Sequence, residues 1–187
     1  MKRILCLGDS NTWGYDSRTA FGEQYPESIR WTGILQQNGY EVRNFGYNGM
    51  CVPESAQLEW ITNEVKREAP LDCITVMLGT NDLLRGSSVA QITAPMEILL
   101  RRLIAKQILL VSPPVLKPGE WVVSESMIEE SRKLGAEYRR LAERMNVLFA
   151  DAADWNIDVL NDGVHFSPEG HAVFAGKITE ILNQVLL

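Results

Sequence analysis

The chain has 187 residues, with 18 Lys and Arg against 24 Asp and Glu, for a net charge of −6. That balance argues against a broad nucleic-acid or anionic-membrane surface, because binding phosphates needs clustered cations. Apolar residues at 45% and charged residues at 22% exclude the disordered and fibrous classes. A chain of this length can bury a core without disulfides or a metal. Its three cysteines are odd in number and show no C-x-x-C spacing, which disfavours a disulfide scaffold or a thiolate zinc site. Chemistry that needs imidazole has two candidates, His165 and His171.

Met1-Lys2-Arg3 leads into Ile4–Leu7, and Gly8-Asp9-Ser10-Asn11 ends that apolar run too early for a signal peptide. No stretch approaches the roughly 20 apolar residues that span a bilayer. The expectation is a cytoplasmic protein with no membrane or nucleic-acid partner. No linker, repeat or low-complexity segment divides the chain, so one domain over residues 1–187 is expected. The sequence carries no signal for oligomeric state.

In chain order, short runs that do not alternate with polar residues predict buried strands at Ile4–Leu7, Val42–Phe45, Cys73–Leu78, Ile108–Val111 and Val147–Ala150. Helical patterns separate them. Trp31–Gln37 stops at Asn38-Gly39. Leu58, Ile61, Val65 and Ala69 recur at helical spacing and end at Pro70. Val89, Ile92, Met96, Leu99 and Leu103 form another such face, which Pro95 is expected to break or restart. Leu134, Tyr138, Leu141 and Met145 form a third. Phe174, Ile178, Ile181 and Val185 form the last, introduced by Ser167 as N-cap and Pro168 at the first helical position. This βαβα rhythm predicts an α/β fold with a parallel sheet covered by helices on both faces. Ser112–Trp121, with Pro113, Pro114 and Pro118, reads as an ordered loop.

In an open parallel sheet the carboxyl ends of the strands share one edge, where ligands bind. The first predicted strand is followed by Gly8-Asp9-Ser10-Asn11-Thr12-Trp13-Gly14 and the second by Gly46-Tyr47-Asn48-Gly49. Gly79-Thr80-Asn81-Asp82 follows the third, and Asp162-Gly163-Val164-His165-Phe166-Ser167-Pro168 lies beyond the fifth. A hydroxyl, an amide, a carboxylate and an imidazole therefore converge from remote positions, which is the parts list of nucleophilic acyl transfer. Taken singly, each has a plainer reading. Ser10 can cap a turn, Asn81-Asp82 can be turn chemistry, Gly49 can be a permissive backbone, and Asp162 can stabilise its own turn. His171 falls in the first turns of the last helix and reads as structural.

Gly8-Asp9-Ser10, Gly49, Gly79-Thr80-Asn81-Asp82 and Asp162-Gly163-Val164-His165 resemble, in order, the sequence blocks of the GDSL or SGNH hydrolases. Gly8–Tyr15 followed by Arg30-Trp31-Thr32-Gly33 is similar to the aryl-esterase and small-ester branch. Asn11 stands where the family name has leucine. The resemblance implies a three-layer αβα sandwich whose five-stranded parallel sheet has the flavodoxin-like order 2-1-3-4-5. It also implies a serine carboxylic-ester hydrolase acting on small acyl or aryl esters, with acyl transfer to alcohols as a variant, and no cofactor or metal. Ser10 would be the nucleophile, His165 the base and Asp162 its orienting acid. The N–H groups of Ser10 and Gly49 and the side-chain amide of Asn81 would form the oxyanion hole.

Asn11, Trp13 and Trp121 are candidates for the substrate pocket. Trp13 follows the serine closely enough to wall the acyl side, and Trp121 ends the proline-rich loop. Trp31 and Trp60 sit on apolar helix faces and read as core. Cys6 and Cys73 read as strand interior, and Cys51 lies close to Gly49. The competing class is a flavodoxin-like FMN- or nucleotide-binding module in which Ser10-Asn11-Thr12 cradles a phosphate at a helix N-terminus. That reading leaves Asn81, Asp162 and His165 without a joint role. A dehydrogenase fits less well, since five non-glycines separate Gly8 from Gly14.

Overall fold

The computed structural model describes residues 1–186, so only Leu187 of the expected domain lies outside the described residues. Five parallel strands, β1 (Arg3–Gly8), β2 (Glu41–Gly46), β3 (Cys73–Met77), β4 (Gln107–Ser112) and β5 (Leu148–Asp151), form one sheet in the order β2-β1-β3-β4-β5. Each expected strand falls within a residue of its observed ends. The alternation inside each strand divides its apolar residues between two layers. Leu5, Leu7, Ile74, Val76 and Leu110 face one side, packed with Ile61 and Val65 of α3 (Ser55–Arg67), Ile92 and Met96 of α5 (Val89–Arg102), and Leu134 and Tyr138 of α6 (Glu125–Met145). Ile4, Cys6, Cys73, Leu109 and Val111 face the other, against Trp31 and Leu35 of α2 (Trp31–Gln37) and Phe174 and Ile178 of α7 (Pro168–Val185). Each such side chain contributes about 1.5–3 kcal/mol when fully buried, so both layers stabilise the sheet.

Three local features depart from the sequence expectations. Helix α5 runs through Pro95, which is buried beside Met96. The ring removes only the bond to the Gln91 carbonyl, and packing of that face outweighs the loss. Helix α6 begins at Glu125, well before the first apolar residue of the expected pattern. Its early face is Ile128, Ser131 and Leu134, and Ser131 hides the periodicity because a hydroxyl sits at a core position. That hydroxyl donates to Ile128 O at 2.7 Å and accepts the Leu116 N–H at 3.1 Å. Trp60 is not core: it is 45% exposed and packs its ring on Tyr47 at 5.3 Å. No described helix is long and apolar enough to cross a membrane.

Candidate active site

The carboxyl ends of β1 and β3 each lead into a short helix, α1 (Ser10–Trp13) and α4 (Thr80–Leu84). Asp9 caps α1: its Oδ1 accepts the Asn11 N–H at 3.0 Å, which fixes Ser10 at the first helical position. Burial pushes the Asp9 carboxyl up to about 6.

Ser10 Oγ lies 3.0 Å from His165 Nε2, and His165 Nδ1 lies 2.8 Å from Asp162 Oδ2. All three side chains are buried. The other Asp162 oxygen, Oδ1, accepts the backbone N–H groups of Val164 at 2.8 Å and His165 at 2.9 Å. Burial opposes ionisation of Asp162, but the hydrogen bonds from the His165 ring and from both backbone N–H groups outweigh it and hold the carboxyl well below its ordinary range. An ionised carboxylate can only accept, so Nδ1 carries the imidazole proton and Nε2 presents its lone pair to the Ser10 hydroxyl. One oxygen of Asp162 therefore stabilises its own turn and the other holds the His165 ring.

The three expected oxyanion donors lie on the same edge. Ser10 N–H is the first of α1, and neither it nor the Gly49 N–H has a partner among the described residues. Gly49 has φ +72°, a conformation that side chains rarely adopt. Asn81 Nδ2 donates one proton to Met50 O at 3.0 Å, which orients the amide and leaves its second proton free.

The loop after β4 reaches this edge by pairing with the loop that bears Asp162. Lys117 N–H donates to Gly163 O, Glu120 N–H to Asn161 O and Trp121 N–H to Asp162 O, at 3.0, 3.1 and 3.1 Å. Gly119 permits the approach, since a Cβ there would lie 2.4 Å from the Asp162 carbonyl carbon. Trp121 is thereby set edge-on to the His165 ring, centroids 4.8 Å apart. Tyr15 packs on the same imidazole at 4.6 Å, and Trp13 packs on Tyr15 at 6.4 Å. Tyr15 is the contact that sequence reasoning missed. Its signal is Gly14, whose left-handed cap turns the chain back over the edge after α1.

One expectation is corrected. Asn11 does not line a pocket: its Nδ2 donates to Val164 O at 3.1 Å and its Oδ1 accepts the Phe166 N–H at 2.9 Å. Both ends of the amide thus fasten α1 to the segment around His165, and the residue is only 3% exposed. Burial raises the Cys51 thiol above its ordinary range, which disfavours a reactive thiolate there. His171 is structural as expected, accepting the Trp31 N–H on Nδ1 at 3.4 Å between the rings of Tyr25 and Phe166. Among the described residues, no three His, Cys, Asp or Glu side chains gather as metal ligands would.

The model of the GDSL-like lipase/acylhydrolase family matches residues 6–173, from the first strand into the last helix. The chain belongs to that family. Its fold is also that of an aryl esterase from M. smegmatis, with a TM-score of 0.87, 27% identity, and 99% of this chain and 100% of that one covered. Est24, a carbohydrate acetylesterase from Sinorhizobium meliloti, gives 0.85 at 27% identity over 98% and 99% of the two chains. No curated protein matches the chain in sequence. The family member is a carboxylic-ester hydrolase with the SGNH fold. The flavin-module alternative falls with this finding, since the family match takes in Ser10, Asn81, Asp162 and His165, the last three of which that alternative left without a joint role.

Proposed function

We propose that this GDSL-family enzyme cleaves small acyl esters, acetates above all, through an acyl-Ser10 intermediate. The observation that carries the reading is the unbroken hydrogen-bonded line from Ser10 Oγ through His165 to Asp162, at 3.0 and 2.8 Å. As Oγ bonds to the ester carbonyl carbon, Nε2 takes the hydroxyl proton, and Asp162 stabilises the imidazolium that forms. The carbonyl oxygen becomes an oxyanion facing Ser10 N–H, Gly49 N–H and the free amide proton of Asn81. Collapse breaks the ester C–O bond, and the imidazolium returns its proton to the departing alcohol oxygen. Water then repeats the sequence on the acyl-enzyme, yielding the acid and restoring Ser10. An alcohol entering in place of water gives acyl transfer by the same steps.

The neighbours named for aryl esters and for carbohydrate acetates favour a short acyl group with a ring-bearing alcohol. The aromatic pair Tyr15 and Trp121 beside His165, the residue that protonates the leaving alcohol, supports that orientation. The test compares p-nitrophenyl acetate with p-nitrophenyl octanoate in the parent and in Ser10→Ala. Higher kcat/KM for the acetate, lost in Ser10→Ala, is expected. Hydrolysis that survives in Ser10→Ala would overturn the reading.

A further inference from the structure

Helix α4 does more than carry Asn81. Asn81 Nδ2 donates to Met50 O at 3.0 Å, Asp82 Oδ2 accepts the Val52 N–H at 3.1 Å, and Arg85 Nη2 donates to the Gly49 carbonyl at 3.2 Å. Side chains of one short helix and the residue that caps it thus grip the turn after β2 at Gly49, Met50 and Val52. The Gly49 carbonyl and the Met50 N–H belong to one peptide plane. Arg85 holds the carbonyl end, and the Met50 N–H is held at the other by Tyr47 O at 3.1 Å. Gly49 has no side chain to restrain it, so this gripped plane is what the neighbouring Gly49 N–H is aimed from.

Arg85 is not needed to finish the helix by its side chain. Its backbone N–H already caps α4 through the carbonyls of Asn81 and Asp82, both at 3.1 Å. The guanidinium has instead reached across to another loop. There it brings a cation to the turn whose N–H faces the developing oxyanion, beside the buried Asp82 carboxyl and the Cys51 thiol.

We propose that Arg85 is a positioning residue of the oxyanion hole, fixing the Gly49–Met50 peptide and adding positive charge to it. This rests on the role assigned above to Gly49. Arg85 touches neither the substrate nor the reacting atoms. Its removal loosens a donor rather than deleting one, so the effect is about tenfold, below the ~10²–10³ lost when a donor disappears.

The experiment compares the parent, Arg85→Ala and Arg85→Lys on p-nitrophenyl acetate, with inhibition by a phenylboronic acid that forms a tetrahedral adduct on the serine. Arg85→Ala should lower kcat about tenfold with KM within about twofold, and weaken the boronic acid by the same factor. Arg85→Lys, or guanidinium ion added to Arg85→Ala, should restore part of both losses at an unchanged melting temperature. Parent-like kcat and boronate affinity in Arg85→Ala would overturn the assignment. So would losses that follow a fall in melting temperature and that neither lysine nor guanidinium repairs. If the parent itself forms no serine adduct and Ser10→Ala stays active, the acyl-enzyme reading fails and the Arg85 role with it. An adduct in the parent with an indifferent Arg85→Ala removes Arg85 alone.

Discussion

Replacing Asp162 with asparagine isolates the charge and tautomer control that the site geometry assigns to this residue. The substitution keeps size and shape, but the new amide has one accepting and one donating end. In the parent, one carboxylate oxygen receives two backbone N–H groups and the other receives His165 Nδ1. Turning the new NH2 toward the backbone would leave two buried donors unsatisfied, at about 1–3 kcal/mol each. The amide oxygen therefore keeps the backbone pair, and the NH2 faces Nδ1. The imidazole must then accept at Nδ1 and carry its proton on Nε2, where it points at Ser10 Oγ and can no longer take the hydroxyl proton. A tautomer fixed the wrong way costs a Ser-His-Asp site about 10⁴ in kcat, roughly 5 kcal/mol of barrier. Because the backbone bonds survive, the melting temperature should move by only a few degrees. Steady-state hydrolysis of p-nitrophenyl acetate and thermal unfolding of the same preparation provide the test. A folded Asp162→Asn enzyme retaining a tenth or more of parental kcat would refute the tautomer reasoning.

Other substitutions probe separate parts of the account. Asn81→Ala removes an oxyanion donor and should lower kcat by ~10²–10³ with little change in KM, read from saturation curves. Gly119→Ala forces a Cβ to within 2.4 Å of the Asp162 carbonyl carbon. It should lower stability by about 1–3 kcal/mol in urea unfolding and reduce kcat as the Asp162 loop shifts; parental values for both would show that the two loops are not tightly apposed. Burial, with the nearby Arg30 charge, pushes His171 down to about 3 from 6.5. Between those values the unfolded chain binds a proton that the folded chain refuses, so His171 makes stability fall as pH falls through that window. The stability of the parent relative to His171→Asn should therefore drop by about 1.4 kcal/mol per pH unit from 6 to 4, measured by urea unfolding. A difference independent of pH would show that His171 is not held neutral.

The parallel sheet was legible because its central strands β1 and β3 are buried on both faces and read as apolar runs, whereas edge strand β2 carries Arg43 and Asn44 between Val42 and Phe45. Ser10, Asn81, Asp162 and His165 were legible because each lies just past a strand end or in the loop that returns to that edge, where side chains converge whatever the details of packing. What stayed hidden depends on contacts between loops. Trp121 reaches His165 through backbone hydrogen bonds that leave no mark on residue types. Tyr15 arrives there after a left-handed glycine whose consequence lies in three dimensions. Asn11 was misassigned because adjacency to Ser10 suggests a pocket, whereas its amide is consumed by two backbone groups more than 150 residues away in the chain. The start of α6 was obscured by Ser131, a polar residue at a core position, and α5 by Pro95, a helix breaker retained by the packing of its face. In each case tertiary contact overrode a local rule.

The central claim is that the Ser10 hydroxyl becomes covalently acylated. Intact-protein mass spectrometry after reaction with a fluorophosphonate ester, followed by peptide mapping, tests it directly. The account predicts one adduct, on Ser10, formed in step with loss of esterase activity and absent from both Ser10→Ala and His165→Ala on the same timescale. Complete inactivation with the adduct on another residue, or full activity in an enzyme labelled at Ser10, would contradict it.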